Sequence, residues 1–311
     1  MARRELGPAA LAVAQAVAEV LPAGPVVVGC SGGADSLALA LGARWAAPRR
    51  GSEVWCVVVD HGLQEGSDRV AGAVVEQLIG QGLTAQVRRV DVAPDGPDGP
   101  EASARRARLE ALARDGYPVL LGHTLDDQAE SVLLGLLRGS GARSLAGMGT
   151  VRGPFLRPLL GVRRATTEQA CREWGVEPWV DPHNTDRRYR RVRARQHLSA
   201  LSLALGQDVA PALVRTAALA RADADLLENL AAEAAADLDL AEPLPVRAVR
   251  DLPEALRLRV VRHWLVAGGA ARVDMVHVLA VDALITSWKG QGPVDVPGGR
   301  VVRRGATLHH A

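Results

Sequence analysis

The stretch VVVGCSGGADSLALA, residues 26 to 40, joins a run of β-formers to a helix-like run through the adjacent glycines Gly32 and Gly33. Glycines let a backbone approach a ligand closely and adopt positive φ. A helix starting here offers unpaired N–H groups and its positive dipole end to an anion. Ser31 and Ser36 add hydroxyl donors on either side of Ala34, and Ser36 is also placed to cap the helix. The chemistry is phosphate binding, but not of the Walker type, because no lysine lies nearby and the glycines are adjacent rather than spaced. Asp35 sits inside the cradle. A carboxylate there repels phosphate unless a cation lies between them, so Mg²⁺ is expected. A tight strand-to-helix turn with a capping serine is the alternative reading of the glycine pair.

A second constellation is LGHTLDDQAESVLLGLLRGSG, residues 121 to 141, with His123 at the end of a strand and two aspartates at the next helix start. Asp127 and Glu130 are three apart, and Asp126 and Glu130 four apart, so they can share one helix face. Two or three carboxylates beside the phosphate loop can hold Mg²⁺ or accept a proton from an amine nucleophile. Carboxylates at a helix start are also favoured by the dipole alone. The third constellation is basic. RRYRRVRAR, residues 187 to 195, holds the six arginines Arg187, Arg188, Arg190, Arg191, Arg193 and Arg195. From Arg138 to Ala200, 13 basic residues face 5 acidic ones, the concentration expected of a nucleic-acid phosphate footprint. A solvated helix face is the alternative. Aromatic residues are only 3% of the chain, so recognition by base stacking on a sheet is not suggested.

The elements that must position these groups alternate from residue 26 to about 137. Strands are expected at Val26–Cys30, Val54–Asp60, Ala85–Val92 and Tyr117–His123, and helices at Ser36–Ala47, Val70–Gly82, Glu101–Asp115 and Asp126–Arg138. Continuous apolar strands separated by helices imply an α/β fold, a doubly wound, mostly parallel sheet covered on both faces. Ligands collect beyond the carboxyl ends of such strands, which brings the loops after Ser31, His61 and His123 together. The segment APDGPDGPEAS is a loop, the glycines beyond Gly139 mark an irregular stretch, and a helix follows at about Arg163–Trp174. From about Gly206 the chain turns to alanine- and leucine-rich helices, closing on a hairpin at Pro297–Gly299. The expected boundary lies near residue 200, dividing the chain into 1–200 and a smaller, mainly helical 201–311.

Composition narrows the class. Hydrophobic residues make up 48% and charged residues 23% of the 311, an ordinary globular balance. The three cysteines Cys30, Cys56 and Cys171 are far apart with no C-x-x-C, which argues against a disulfide framework, a zinc ribbon or an iron–sulfur site. No run approaches the roughly 18 apolar residues of a membrane span. The N-terminal alanine-rich stretch is interrupted by Gln15 and Glu19, so an amphipathic helix is expected there rather than a signal peptide. The expectation is a soluble, cytoplasmic protein.

SGGADS resembles the SGGxDS loop of the N-type ATP pyrophosphatase (PP-loop) superfamily, whose members cleave ATP between its α- and β-phosphates and adenylate a substrate. His123 through Gly141 resembles the H-x-x-D-D-Q-x-E and R-G-S-G signature of one branch, the tRNA(Ile)-lysidine synthetases. VVDHGL at 58–63, EASARRARLEAL at 101–112, RPLL at 157–160 and WVDPHNTDRRYRRVRAR at 179–195 extend the resemblance from about residue 24 to 235. The resemblance implies ATP-dependent attachment of free L-lysine to carbon 2 of the wobble cytidine of the CAU-anticodon isoleucine tRNA, through an adenylated intermediate. It implies ATP held by Ser31–Ser36 with Asp60, His61 and His123. Mg²⁺ would lie on Asp35 with Asp127 or Glu130, one of the latter two orienting or deprotonating the lysine amine. Arg191 and Arg195 match the two arginines of the family's R-N-x-x-R pattern, with Arg195 expected on substrate phosphate or the adenylate. Val192 replaces the family's asparagine and Ala200 its downstream proline. Arg138 and the arginines of 187–195 are expected to bind tRNA, the second domain to bind tRNA elsewhere, and a homodimer is compatible with this reading. The rivals are a tRNA 2-thiocytidine synthetase, which generally needs paired cysteines, and a non-catalytic nucleotide- or RNA-binding protein, which needs no metal-holding carboxylates.

Overall fold

The computed structural model describes residues 6–62, 66–91, 100–139, 141–181, 186, 188–271 and 273–311. In chain order the first unit carries α1 (Pro8–Val20), β1 (Gly24–Gly29), α2 (Ala34–Arg50), β2 (Ser52–Asp60), α3 (Ser67–Gly80), β3 (Thr84–Arg89), α4 (Pro100–Ala113), β4 (Val119–Leu121) and α5 (Leu125–Arg138). A short helix α6 (Ala142–Leu145) and the paired β5 (Val151–Arg152) and β6 (Phe155–Leu156) fill the stretch that the glycines mark as irregular. Next come α7 (Arg164–Trp174), α8 (Arg190–Leu205) and α9 (Ala210–Ala234). The chain separates into two compact units, Met1–Leu134 with Gly147–Val214, and Gly135–Ala146 with Arg215–Ala311. The APDGPDGPEAS loop lies largely outside the described residues.

The sheet of the first unit runs β3-β2-β1-β4-β6-β5, parallel at every pairing except β5 with β6. Strand alternation sorts its two faces. Val26, Val28, Cys56, Val58 and Leu120 pack with α1, α2, α3 and α7, whereas Val27, Val57, Val119 and Leu121 pack with α4. Both faces are therefore apolar, as expected of a doubly wound fold. The chain steps outward from β1 to β2 and β3, then returns to the other side of β1 as β4. That reversal puts the switch point, where such folds bind ligands, between β1 and β4. β4 is shorter than the expected Tyr117–His123 because the His123 N–H turns back to the Leu121 carbonyl at 3.0 Å.

The second unit adds β7 (Leu244–Pro245), α10 (Val246–Val249), α11 (Glu254–Ala267), α12 (Met275–Thr286), β8 (Val294–Val296), β9 (Gly299–Arg304) and β10 (Thr307–His310). The expected hairpin is β8–β9, turning through Gly298 at φ +91°. Beyond it lies pairing that the sequence reading did not contain, an antiparallel sheet in the order β7-β10-β9-β8. Its core centres on the fully buried Trp264, whose indole N–H donates to the Glu242 carbonyl at 2.9 Å and whose ring stacks on His310 at 4.0 Å. No helix among the described residues is long and apolar enough to cross a membrane.

Candidate active site at the carboxyl ends of the parallel strands

The glycine pair divides its work. Gly32 takes φ +83°, and a Cβ there would lie 2.4 Å from the Val74 Cγ2 of α3. Gly33 is ordinary extended backbone at φ −69°, and its nearest neighbour to an added Cβ would be the Ser31 hydroxyl at 3.8 Å. Only Gly32 therefore needs the positive φ expected of the pair; Gly33 leaves space on the open side of the loop. Gly33, not Ser36, also occupies the N-cap of α2. Ser36 is buried in the first turn, where its hydroxyl donates to the Gly33 carbonyl at 2.9 Å and accepts from the Ser31 N–H at 3.1 Å. It braces the loop from within. Gly122, at the end of β4, completes the junction: a Cβ there would come within 3.0 Å of the Asp35 carbonyl. This close approach sets the start of α5 beside the start of α2.

Asp35, Asp127 and Glu130 are brought together, and a residue outside the expected set stands between them. Arg164, the first residue of α7, reaches Asp127 Oδ1 at 2.7 Å, Asp35 Oδ2 at 3.4 Å and Glu130 Oε1 at 3.6 Å through three different nitrogens. Asp35 also accepts a short hydrogen bond from the fully buried Thr167 hydroxyl. Burial pushes the Asp35 carboxyl up to about 6, against the opposing pull of Thr167 and Arg164. Asp127 spends its other oxygen on a capping box with Thr124, accepting its N–H at 2.8 Å and its hydroxyl at 2.9 Å. Glu130 is only 1% exposed. Its Oε1 accepts from Arg195 Nε at 2.7 Å, its Oε2 has no hydrogen-bond partner among the described residues, and burial raises its pKa above the ordinary value.

Asp126 is placed otherwise. Its Oδ2 accepts the Arg164 N–H at 2.8 Å, and its carboxylate pairs with Arg163 at 2.9 Å. It ties the start of α7 to the start of α5. Three carboxylates form the hard oxygen donor set that Mg²⁺ takes, and all three already face one positive group, so the residue types fit a cation. Among the described residues no three His, Cys, Asp or Glu side chains are grouped so as to hold a metal as they stand, and these three carboxylates are bridged by the Arg164 guanidinium instead.

Beyond the ends of β2 and β4 lies a cluster of opposite character. Asp60 is buried and turned back to accept the Gly62 N–H at 2.9 Å. Among the described residues, His61 and His123 each leave a buried Nδ1 without a hydrogen-bond partner. Burial lowers both imidazoles, with Arg108 adding to the effect, so both are neutral near pH 7. Arg108 of α4 has a buried Nε without a partner, and its pKa is driven down to about 10 by burial and then by Arg105 and Arg191. A largely desolvated guanidinium beside other arginines gains from an anion. The cluster is suited to phosphate.

The basic run forms the start of α8, and its arginines diverge. Arg190 and Arg193 are exposed, whereas Arg191 and Arg195, four apart, are half-buried toward the Arg108 cluster and Glu130. Val192, where the family pattern has asparagine, is buried with Ala194 and Leu198 and so serves packing. Arg188 pairs with Asp186, Arg138 closes the last turn of α5 in the second unit, and Arg187 lies outside the described residues. The sequence reading missed Arg164, Thr167 and Arg108. Arg164 carried a legible signal, since a cation in the first turn of a helix opposes the dipole. Arg108 lies within EASARRARLEAL, but its burial depends on how α4 packs.

Comparison with known proteins identifies the family. Residues 9–201 match the model of the PP-loop domain, and residues 244–309 match that of the TilS substrate binding domain. The tRNA(Ile)-lysidine synthase of Cutibacterium acnes is 52% identical over 315 residues, covering 100% of this chain and 99% of that protein. That of Rhodococcus erythropolis is 46% identical, covering 94% and 90%. Among solved structures, the U34-tRNA thiolase NcsA from Methanococcus maripaludis with its [4Fe-4S] cluster superposes with a TM-score of 0.52 at 18% identity, covering 67% of this chain and 78% of that one, which speaks to the fold. With a PP-loop match over more than half its length and such relatives end to end, the chain belongs to the tRNA(Ile)-lysidine synthase family.

Proposed function

We propose that the chain uses ATP to join free L-lysine to carbon 2 of the wobble cytidine of the CAU-anticodon isoleucine tRNA, releasing pyrophosphate and AMP. Membership of the family supports the reaction, and the observation that carries it to this site is the meeting of Asp35, Asp127 and Glu130 beside the SGGADS loop. Cytosine O2 attacks the α-phosphorus of ATP, and pyrophosphate departs into the backbone N–H groups of Gly32–Ser36. The ε-amine of lysine then attacks carbon 2, the carbon–oxygen bond breaks, and AMP leaves with the oxygen. Glu130, with a buried and unpartnered Oε2, is suited to take the proton the amine loses. Asp127 and Asp35 supply negative charge to orient the cationic substrate. Asp35, Asp127 and Glu130 would hold Mg²⁺, which supplies neutralisation of phosphate charge. The cluster of Arg105, Arg108 and Arg191, with neutral His61 and His123, is suited to the adenylate phosphate.

In this proposal residues 1–200 form the catalytic domain and 201–311 the tRNA- and substrate-binding domain, with Arg138, Arg187, Arg188, Arg190, Arg193 and Arg195 on the tRNA backbone. The protein works in the cytoplasm, and a homodimer is compatible with it. A thiolation reading is less favoured: Cys30, Cys56 and Cys171 are buried, and burial pushes every one of the three thiols up, whereas a sulfur relay needs a reachable thiolate. A mere binder has no need of a buried acid such as Glu130. The deciding experiment is incorporation of labelled lysine into tRNA, with ATP and the CAU-anticodon isoleucine tRNA both required and AMP and pyrophosphate as products. ADP formation, or turnover without tRNA, would overturn the proposal.

A further inference from the structure

Arg164 is bound in an unusual way for a salt-bridging arginine. Its guanidinium forms no two-pronged fork to any one carboxylate; each nitrogen addresses a different acid, at 2.7, 3.4 and 3.6 Å. Two of these exceed the 2.7–2.9 Å of a charge-assisted hydrogen bond, so the group sits between three carboxylates rather than on one. The acids are fixed by independent means. Asp35 is held by Thr167, Asp127 by the Thr124 capping box, and Glu130 by Arg195. The Arg164 backbone is fixed as well, its N–H on Asp126. Its side chain has no backbone anchor and is 20% exposed, which leaves a way out to solvent. Glu130 meanwhile keeps a buried Oε2 with no hydrogen-bond partner among the described residues. The site is prepared for more positive coordination than one guanidinium supplies.

We propose that Arg164 is a built-in counter-cation that occupies the Asp35–Asp127–Glu130 site in the nucleotide-free protein and is displaced when a divalent metal arrives with ATP. The inference rests on these carboxylates being the metal site. A metal alone meets a site already partly neutralised and must expel a guanidinium held by Asp127. A metal arriving on a triphosphate brings anionic oxygens to which the expelled arginine can turn. The carboxylates thus stay in register between turnovers, and free divalent cation is kept out until the nucleotide is present.

The test is Mn²⁺ binding to the full chain, read as free Mn²⁺ by electron paramagnetic resonance. Without nucleotide, Arg164→Gln is expected to bind Mn²⁺ at least tenfold more tightly than the parent, and Arg164→Lys, which keeps the charge, close to the parent. Adding Asp127→Asn to Arg164→Gln should abolish the gain. With α,β-methylene-ATP the parent and Arg164→Gln should bind Mn²⁺ within a few-fold of each other. Equal or weaker nucleotide-free binding by Arg164→Gln overturns the displacement. Failure of the parent to bind Mn²⁺ even with the ATP analogue instead overturns the metal reading on which it rests. The parent offers a readout that no variant's folding can obscure. Its Arg164 Nε–H resonance, assigned with Arg164→Lys, should stay in place with Mg²⁺ alone and move with Mg²⁺ plus the analogue. A resonance that does not move on that addition refutes the proposal equally.

Discussion

Replacing Gly32 and Gly33 in turn by alanine should separate folding from function within two adjacent residues. At Gly32 an alanine must adopt φ +83°, which costs an L-residue about 1–2 kcal/mol. Its Cβ would also stand 2.4 Å from Val74 Cγ2, on a buried β-branched side chain of a helix that cannot readily rotate away. Overpacking of this kind adds about 1–3 kcal/mol, giving a total of about 2–5. For a unit of this size that lowers the unfolding midpoint by about 5 to 15 °C. At Gly33 neither cost applies, since φ is −69° and the nearest atom is 3.8 Å away. Gly33→Ala should stay within about 0.5 kcal/mol of the parent while losing at least tenfold in ATP-dependent lysine incorporation, because its methyl intrudes where phosphate must approach. The assays are thermal unfolding followed by circular dichroism and turnover with labelled lysine. Repeating Gly32→Ala in a Val74→Ala background isolates the clash, with an expected coupling of about 1 kcal/mol or more. The reasoning fails if Gly32→Ala costs under about 1 kcal/mol, or if Gly33→Ala keeps full activity.

Two further substitutions exploit groups that burial strains. The folded state raises the Asp35 pKa from 3.8 to about 6, so it binds that proton more tightly than the unfolded chain does; the resulting stability is complete below about pH 4 and lost as pH rises through 6. Asp35→Asn should therefore be inactive yet, above pH 6, up to about 3 kcal/mol more stable than the parent, the gap closing near pH 4; a deficit at pH 8 in urea unfolding would falsify this. Arg108→Met removes a buried cation whose described neighbours Arg105 and Arg191 carry the same charge, and should raise the unfolding midpoint while abolishing the stabilisation that added phosphate or ATP gives the parent; a lower midpoint would mean an anionic neighbour is already in place.

How much of this was legible depends on the length scale each feature uses. The parallel sheet was readable because Val26–Val28 and Val54–Val59 are continuous β-formers with a helix between them, a pattern that only burial on two faces explains. The β7 and β10 strands of the second unit were not readable. β7 is two residues long, and β10 is the polar run TLHH, Thr307–His310, whose only strong apolar member is Leu308. Pairing across more than 60 residues, from Leu244 to Leu308, leaves no local signature. The same limit hid Arg108, whose isolation depends on α4 packing under β1 and β2.

The acidic helix start shows where spacing stops and geometry begins. Asp126 and Asp127 are adjacent, both in the first turn of α5, and either satisfies the dipole. A helix rotates about 100° per residue, so the two carboxylates leave in different directions: Asp126 to the Arg164 backbone N–H, Asp127 to the Arg164 guanidinium. One residue thus meets both acids, and the pair divides into an anchor and a site ligand only once α7 is docked. The same docking explains why a cation tolerates a helix N-terminus at Arg164. The dipole there opposes it by about 0.3–1 kcal/mol, a small term beside three carboxylates within 3.6 Å in a half-buried setting. A local rule broken at one position, with a stronger nonlocal interaction to outweigh it, is where sequence reasoning is expected to fail and where function is concentrated. Arg164 is such a position, and its opposing neighbours all come from the loop and helix that the SGGADS and DDQAE motifs had already singled out.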